Sequence, residues 1–221
     1  MSGTAKRAVV TAVVAAAVVA AIVLYVTLYL TNVPGSVAAT RTPLGAQLYL
    51  ATVPEAEKTD PHNTWVSFYA VDATAGHWQH ETTWELPANS LVRITIYQFD
   101  GPSGLRNPFI GQVAGTVGGV MSLDGKITRS LPPEEASHAW AVPQLGISVP
   151  LQGVAEEAKG ACERAPCSLA NAHHTISFVI HTPGKGLYRW QCFVPCAAGF
   201  IQGFGGPMQT VGYMGGFLKI V

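Results

Sequence analysis

The chain opens on an unbroken apolar stretch and then changes to a shorter rhythm. Positions 8–30, AVVTAVVAAAVVAAIVLYVTLYL, carry no charge, and as a helix rising about 1.5 Å per residue they match a hydrocarbon core roughly 30 Å thick. One membrane-spanning helix is predicted there. Beyond it no helical period is sustained; apolar residues alternate or cluster in short runs cut by turn residues, which is the patterning of strands. Runs at 47–53, 65–71, 91–99, 138–147 (with a stop at Val142-Pro143), 175–181, 188–192 and 217–221 read this way. The clearest is 91–99, LVRITIYQF, where Val92, Ile94, Ile96 and Gln98 share one face and Leu91, Arg93, Thr95, Tyr97 and Phe99 the other.

The intervals between these runs have their own signals. Residues 31–45 turn to Pro, Gly, Ser, Thr and Ala, the composition of a tether. A charged, proline-containing segment occupies 54–63. Residues 101–133 are rich in Gly and Pro and predict a long surface excursion with one short hairpin at Asp124-Gly125. A second excursion, 153–171, carries Glu156, Glu157 and Lys159 and suits a short exposed helix. Many short strands joined by turns predict a mainly β protein folded as a β-sandwich. The expected organisation is an N-terminus at 1–7, an anchor at 8–30, a linker at 31–45 and one domain at 46–221.

Charge adds orientation. Lys6 and Arg7 directly precede the apolar stretch, so the positive-inside tendency keeps 1–7 in the cytoplasm and places 46–221 outside a single-pass cell-membrane protein. The stretch is longer than the roughly 7–15-residue core of a cleaved signal peptide, and no small-residue cleavage site closes it, so the anchor is expected to be retained. Thirteen Lys and Arg balance thirteen Asp and Glu, and without a basic run beyond the N-terminus nucleic acid is excluded as a partner. No Ser-His-Asp or paired-carboxylate arrangement stands out, and GFGGPM lacks the Lys-Ser/Thr of a phosphate loop. His77 and His80 read as surface histidines, and Trp78, Trp84, Trp140 and Trp190 as core or interface.

The four cysteines fall into two close pairs. Cys162 and Cys167 lie in the second excursion with no metal ligand nearby in sequence, which outside the membrane predicts a disulfide. Cys192 and Cys196 form a Cys-x3-Cys pair between an aromatic-rich strand and a glycine-rich loop holding Met208 and Met214. Thiolate and thioether favour copper over harder metals. In an oxidising compartment the same pair can also close as a disulfide, so both readings stand.

Several segments together resemble a family. A Pro-Ala-Asn-Ser turn, a strand ending at Asp100, SHAWAVPQLGISVPL, GLYRWQCFVPCAAG and a final MGGFLKIV are similar to the cupredoxin fold, and within it to the periplasmic domain of cytochrome c oxidase subunit II. The resemblance spans roughly 63–221 and implies a Greek-key cupredoxin-like β-sandwich. It also implies that His138 ligates copper and that Cys192 and Cys196 match the bridging cysteines of a binuclear copper-A site, with Gln191 at the usual glutamine. In that family a histidine follows the second cysteine by four and a methionine by seven; here those places hold Phe200 and Gly203. If the loop is lengthened so that Met214 matches the methionine, the histidine place falls on Val211. The implied ligand set is therefore His138, Cys192, Cys196 and one of Met208 or Met214, with His173 or His174 as another source of imidazole. The implied function is membrane-anchored copper binding for electron transfer or copper handling in a respiratory chain, beside other subunits of a terminal oxidase rather than as an enzyme alone. The alternative is a copper-free, disulfide-stabilised accessory subunit of a membrane complex.

Overall fold

In a computed structural model of the chain, residues 3–27, 35–72, 76–195, 206–208 and 210–221 are described. They divide into two units, Met1–Gly35 and Ser36–Val221. The first contains one helix, α1, Gly3–Tyr25, built from Ala and Val with no acidic residue in its first turn. It is long and apolar enough to cross a bilayer. It starts ahead of the predicted position 8, taking in Lys6 and Arg7; the predicted end, 28–30, lies outside the described residues.

The second unit is a two-sheet β-sandwich. Its first strands are β1 Val37–Ala38, β2 Thr40–Thr42, β3 Gly45–Val53, β4 Ser67–Asp72, β5 His77–Gln79, β6 Thr83–Leu86 and β7 Leu91–Gln98. They are followed by β8 Met121–Leu123, β9 Lys126–Thr128, β10 Ala136–Val142, β11 Ile147–Gln152, β12 His174–His181, β13 Gly186–Gln191 and β14 Gly215–Ile220. One sheet has the order β1-β6-β14-β13-β10-β11; the other runs β5-β4-β3-β7-β12-β8-β9, with β2 paired to β3. Most neighbours are antiparallel, but β6 pairs in parallel with β1 and β14, and β3 with β7. The first and last strands of this unit are thus both laid beside β6, distant from each in sequence.

The alternation in 91–99 decides how β7 sits: Val92, Ile94, Ile96 and Gln98 are all fully buried. They face an interior shared with Trp84, Trp140 and Trp190, each fully buried as well. Trp84 and Trp190 stack at 4.5 Å, and Phe68 meets Trp190 edge-on at 4.8 Å. Their indole N–H groups are satisfied by main chain, Trp84 donating to the Glu81 carbonyl and Trp190 to that of Thr82. A second apolar cluster, Ala51, Val53, Tyr69, Val71 and Phe99, is completed by Ala165 and Cys167 from the second excursion. That excursion therefore covers the outer side of β3 and β4 instead of hanging free.

Several predicted elements take another form. The run 138–147 is a hairpin interrupted at the expected stop: β10 ends at Val142, which pairs opposite Ile147 of β11 across a turn closed by Gly146 in the left-handed region. A third of the expected tether is β1 and β2, held by pairing to β6 and β3. The segment with Glu156, Glu157 and Lys159 forms turns and no helix, since a few polar residues between Gly153 and Gly160 cannot repay helix nucleation. The Asp124-Gly125 hairpin joins β8 to β9 as expected, with both residues at positive φ, 49° and 83°, as a type I′ turn requires. Cys162 and Cys167 form a disulfide.

Candidate metal centre

Three candidate residues arrive from three strands. His138 lies in β10, just past a bulge between Ala136 and His138 in its pairing with β11. Such an extra residue re-aims the side chains that follow it. Cys192 follows β13 and Met214 precedes β14. The β13–β14 ladder ends with Gln191 opposite Gly215, and the Cys192 amide continues it by donating to the Met214 carbonyl at 2.9 Å. The two sulfur residues are thus cross-strand neighbours. His138 is 2% exposed, and Cys192 and Met214 are fully buried.

The ring of His138 is fixed from both sides. Its Nε2 is 2.9 Å from the Asp100 Oδ2, and Asp100 is held in turn by the Gly101 amide, which donates to Oδ1 at 2.7 Å. Its Nδ1 faces the Cys192 Sγ at 4.0 Å. That sulfur accepts the Ala139 amide at 3.3 Å and donates to the Val194 carbonyl at 3.3 Å. Burial alone would lower the imidazole pKa, but the hydrogen bond to Asp100 and the neighbouring Cys192 sulfur outweigh it and push it up to about 9. In the neutral ring, a proton kept on Nε2 by the carboxylate turns the Nδ1 lone pair toward sulfur.

This donor geometry fits one small metal ion between nitrogen and sulfur. First-row ions bind thiolate at about 2.3 Å and imidazole at about 2.0 Å, which at tetrahedral or wider angles separates the two donors by about 3.5–4 Å. A carboxylate on the far nitrogen is the usual outer partner of a metal-binding histidine. Among the described residues no three His, Cys, Asp or Glu side chains converge on one point; the thioethers of Met214 and Met208 are the further soft donors in the same core. Met214 is adjacent to Cys192; Met208 is half-buried against the same core. Cys196, Phe200 and Gly203 lie outside the described residues. His173 and His174 are engaged elsewhere, His173 Nδ1 with the Asn171 carbonyl and His174 Nδ1 with Asp124.

Outside His138 a polar cleft of about 380 Å³ opens between Asp100, Ser103, Ser137, Glu156 and Pro195. Asp100 is therefore the link between the buried imidazole and the surface. Of the histidines at 77 and 80, His77 is exposed as expected, whereas His80 is not. His80 is half-buried, with Nδ1 3.0 Å from Asp60 and its ring stacked on Tyr69 at 4.5 Å. Burial lowers its pKa despite Asp60, so at neutral pH it is a neutral N–H donor. Asp60 also accepts the Tyr213 hydroxyl at 2.8 Å and the His62 amide at 2.7 Å. Burial opposes its charge, but those bonds hold its carboxyl below the ordinary range. This cluster borders Met214 through Tyr213 and was not foreseen; the one sequence signal for it is an aromatic residue directly before the methionine.

No protein-family model matches the chain, and no curated protein matches it. Solved structures similar to it include the copper protein rusticyanin, at 13% identity and a TM-score of 0.36, covering 84% of this chain and 82% of that one. Rusticyanin from Thiobacillus ferrooxidans aligns at 15% identity and a TM-score of 0.33, covering 86% and 85%. A chain of a heme-copper terminal oxidase dimer aligns at 10% identity and a TM-score of 0.31, covering 99% of each.

Proposed function

We propose that this chain is a membrane-anchored cupredoxin-like protein that carries single electrons through a copper ion held by His138, Cys192 and Met214, as part of a respiratory chain. The observation that supports this reading most strongly is the pairing of His138 Nδ1 with Cys192 Sγ at 4.0 Å while Asp100 holds Nε2. Bound there, copper supplies a one-electron couple, and sulfur donors favour its reduced ion. The protein's own contribution is to fix the imidazole tautomer and to hold the three side chains buried, away from bulk water. A set of buried donors suits electron transfer rather than catalysis. The helix Gly3–Tyr25, with Lys6 and Arg7 near its start, is read as the anchor that places the sandwich outside the membrane. Other subunits of a terminal oxidase are the partners proposed.

The test is metal content. The full chain, purified in mild detergent under reducing conditions and loaded with Cu(I), is expected to hold one copper and to lose it in Cys192→Ser and His138→Gln. Two coppers per chain, reduced to one by Cys196→Ser, would replace the mononuclear reading with a binuclear one. No copper retained after desalting overturns the proposal, and retention without reversible oxidation of the ion reassigns the site to copper storage.

A further inference from the structure

The residue before Met214 is tied down by a segment far away in the chain. Tyr213 is 7% exposed, and its hydroxyl donates to Asp60 Oδ1 at 2.8 Å. Its ring sits edge-on to Trp65 at 4.9 Å and to His80 at 5.1 Å. Its carbonyl accepts the Phe68 amide at 3.1 Å. On one side of it Gly212 donates to the Thr82 hydroxyl at 2.9 Å; on the other the Met214 amide donates to the Pro207 carbonyl at 2.9 Å. The connection between β13 and β14 runs from 192 to 214, and its end is thus bonded at Gly212 and Tyr213 to other segments of the sandwich and at Met214 back to the connection itself.

Asp60 is held in place just as firmly. Its amide donates to the Glu57 carbonyl, its Oδ1 also takes the His62 amide, and its Oδ2 takes His80 Nδ1. The segment 54–66 closes on itself through Ala56 and Trp65 at 2.9 Å. Arg164, between the disulfide cysteines, bonds the Ala56 and Asn63 carbonyls and pairs with Glu55. A carboxylate with three donors, on a braced loop, is a fixed point.

We propose that Asp60 is a positioning residue for the metal centre: through the Tyr213 hydroxyl it clamps the end of the long loop and so sets where Met214 stands relative to Cys192. The inference rests on the reading of Met214 as a donor, but its mechanical half does not need copper. A hydrogen bond to a charged acceptor is the strong kind, and this one restrains the residue whose neighbour bonds the Cys192 amide. Losing it frees the end of the loop first and leaves β3, β7 and β12 untouched.

The experiment uses the full chain in detergent and compares wild type with Tyr213→Phe, Asp60→Ala and Asp60→Asn. In the metal-free protein, amide hydrogen exchange at Cys192 and Met214 is expected to quicken about tenfold, equivalent to about 1.4 kcal/mol, in Tyr213→Phe and Asp60→Ala. Amides of β7 and β12 should keep wild-type protection. Asp60→Asn retains a carbonyl oxygen for the Tyr213 hydroxyl and should restore most of the protection at both residues. In the Cu(I)-loaded and reoxidised protein, the sulfur-to-copper absorption of Tyr213→Phe should move in the same direction as that of Met214→Leu. Unchanged exchange at Cys192 and Met214 overturns the clamp, as does exchange that quickens equally throughout β7 and β12. An absorption band that ignores Tyr213→Phe while following Met214→Leu overturns the link to the metal. If wild type binds no copper, the copper reading fails alone and the exchange data still decide the clamp.

Discussion

His138 carries opposite demands on its two nitrogens. In the metal-free protein the Asp100 carboxylate and the Cys192 sulfur hold the ring's pKa at about 9, against about 6.5 in the unfolded chain. The folded state therefore binds a proton that the unfolded state releases between those values. Stability from this group is fully present below about pH 6.5 and is lost as pH rises through 9, on the order of 3 kcal/mol. The melting temperature of the metal-free protein should fall across that window and fall less in Asp100→Asn; a flat or rising profile would refute the assignment. A metal at Nδ1 must displace a proton from the same ring, so binding should tighten over the window in which the metal-free protein weakens. Asp100 was visible in the sequence only as the end of a strand. Its partner lies 38 positions away, and no local pattern pairs them.

At the scale of elements, the strand read most clearly from sequence was one whose two faces differ. In β7 buried Val92, Ile94 and Ile96 alternate with exposed Leu91 and Arg93. In β6, Thr83–Leu86, the burial is nearly continuous, because parallel pairing with β14 and contact with the core leave no solvent face to write a period. β11 received no assignment of its own, although a stop was read at Val142-Pro143, because the turn at Pro143–Leu145 is short and apolar residues resume at once. β14 is where the fold tolerates least. A Cβ on Gly216 would run into the Thr82 carbonyl, which already accepts both the Phe217 amide and the Trp190 indole. Gly216→Ala should cost about 1–3 kcal/mol and, by shifting the start of β14, weaken copper retention more than an equally destabilising change in β12. Denaturant midpoints with copper content on the same samples check this; unaltered stability would mean that the contact is not as close as described.

For the whole molecule, the two units pose separate questions. The sandwich folds around its own core, with the tryptophans the sequence assigned to an interior: Trp84, Trp140 and Trp190 fully buried, Trp78 in the outer cluster. The helix Gly3–Tyr25 has apolar side chains exposed along its length, a surface suited to lipid. The proposed orientation, with Lys6 and Arg7 inside, predicts that a cysteine placed at exposed Lys185 reacts with a membrane-impermeant maleimide on intact cells, whereas one at Thr4 reacts only after lysis. The reverse pattern would put the sandwich, and any copper it carries, in the cytoplasm. His138 and Cys192, singled out from their sequence contexts, are brought to 4.0 Å of each other by the fold. The parts that hold them and their neighbours in place, Asp100, Asp60 and Tyr213, come together only through folding.

The most direct test is copper K-edge X-ray absorption on the loaded full-length chain. The expected spectrum has sulfur scattering at about 2.3 Å and one imidazole at about 2.0 Å, with the near sulfur shell lost in Cys192→Ser and the imidazole in His138→Gln. A first shell of light atoms alone, or one that neither substitution alters, would show that the ion sits elsewhere and that these buried residues serve only the fold.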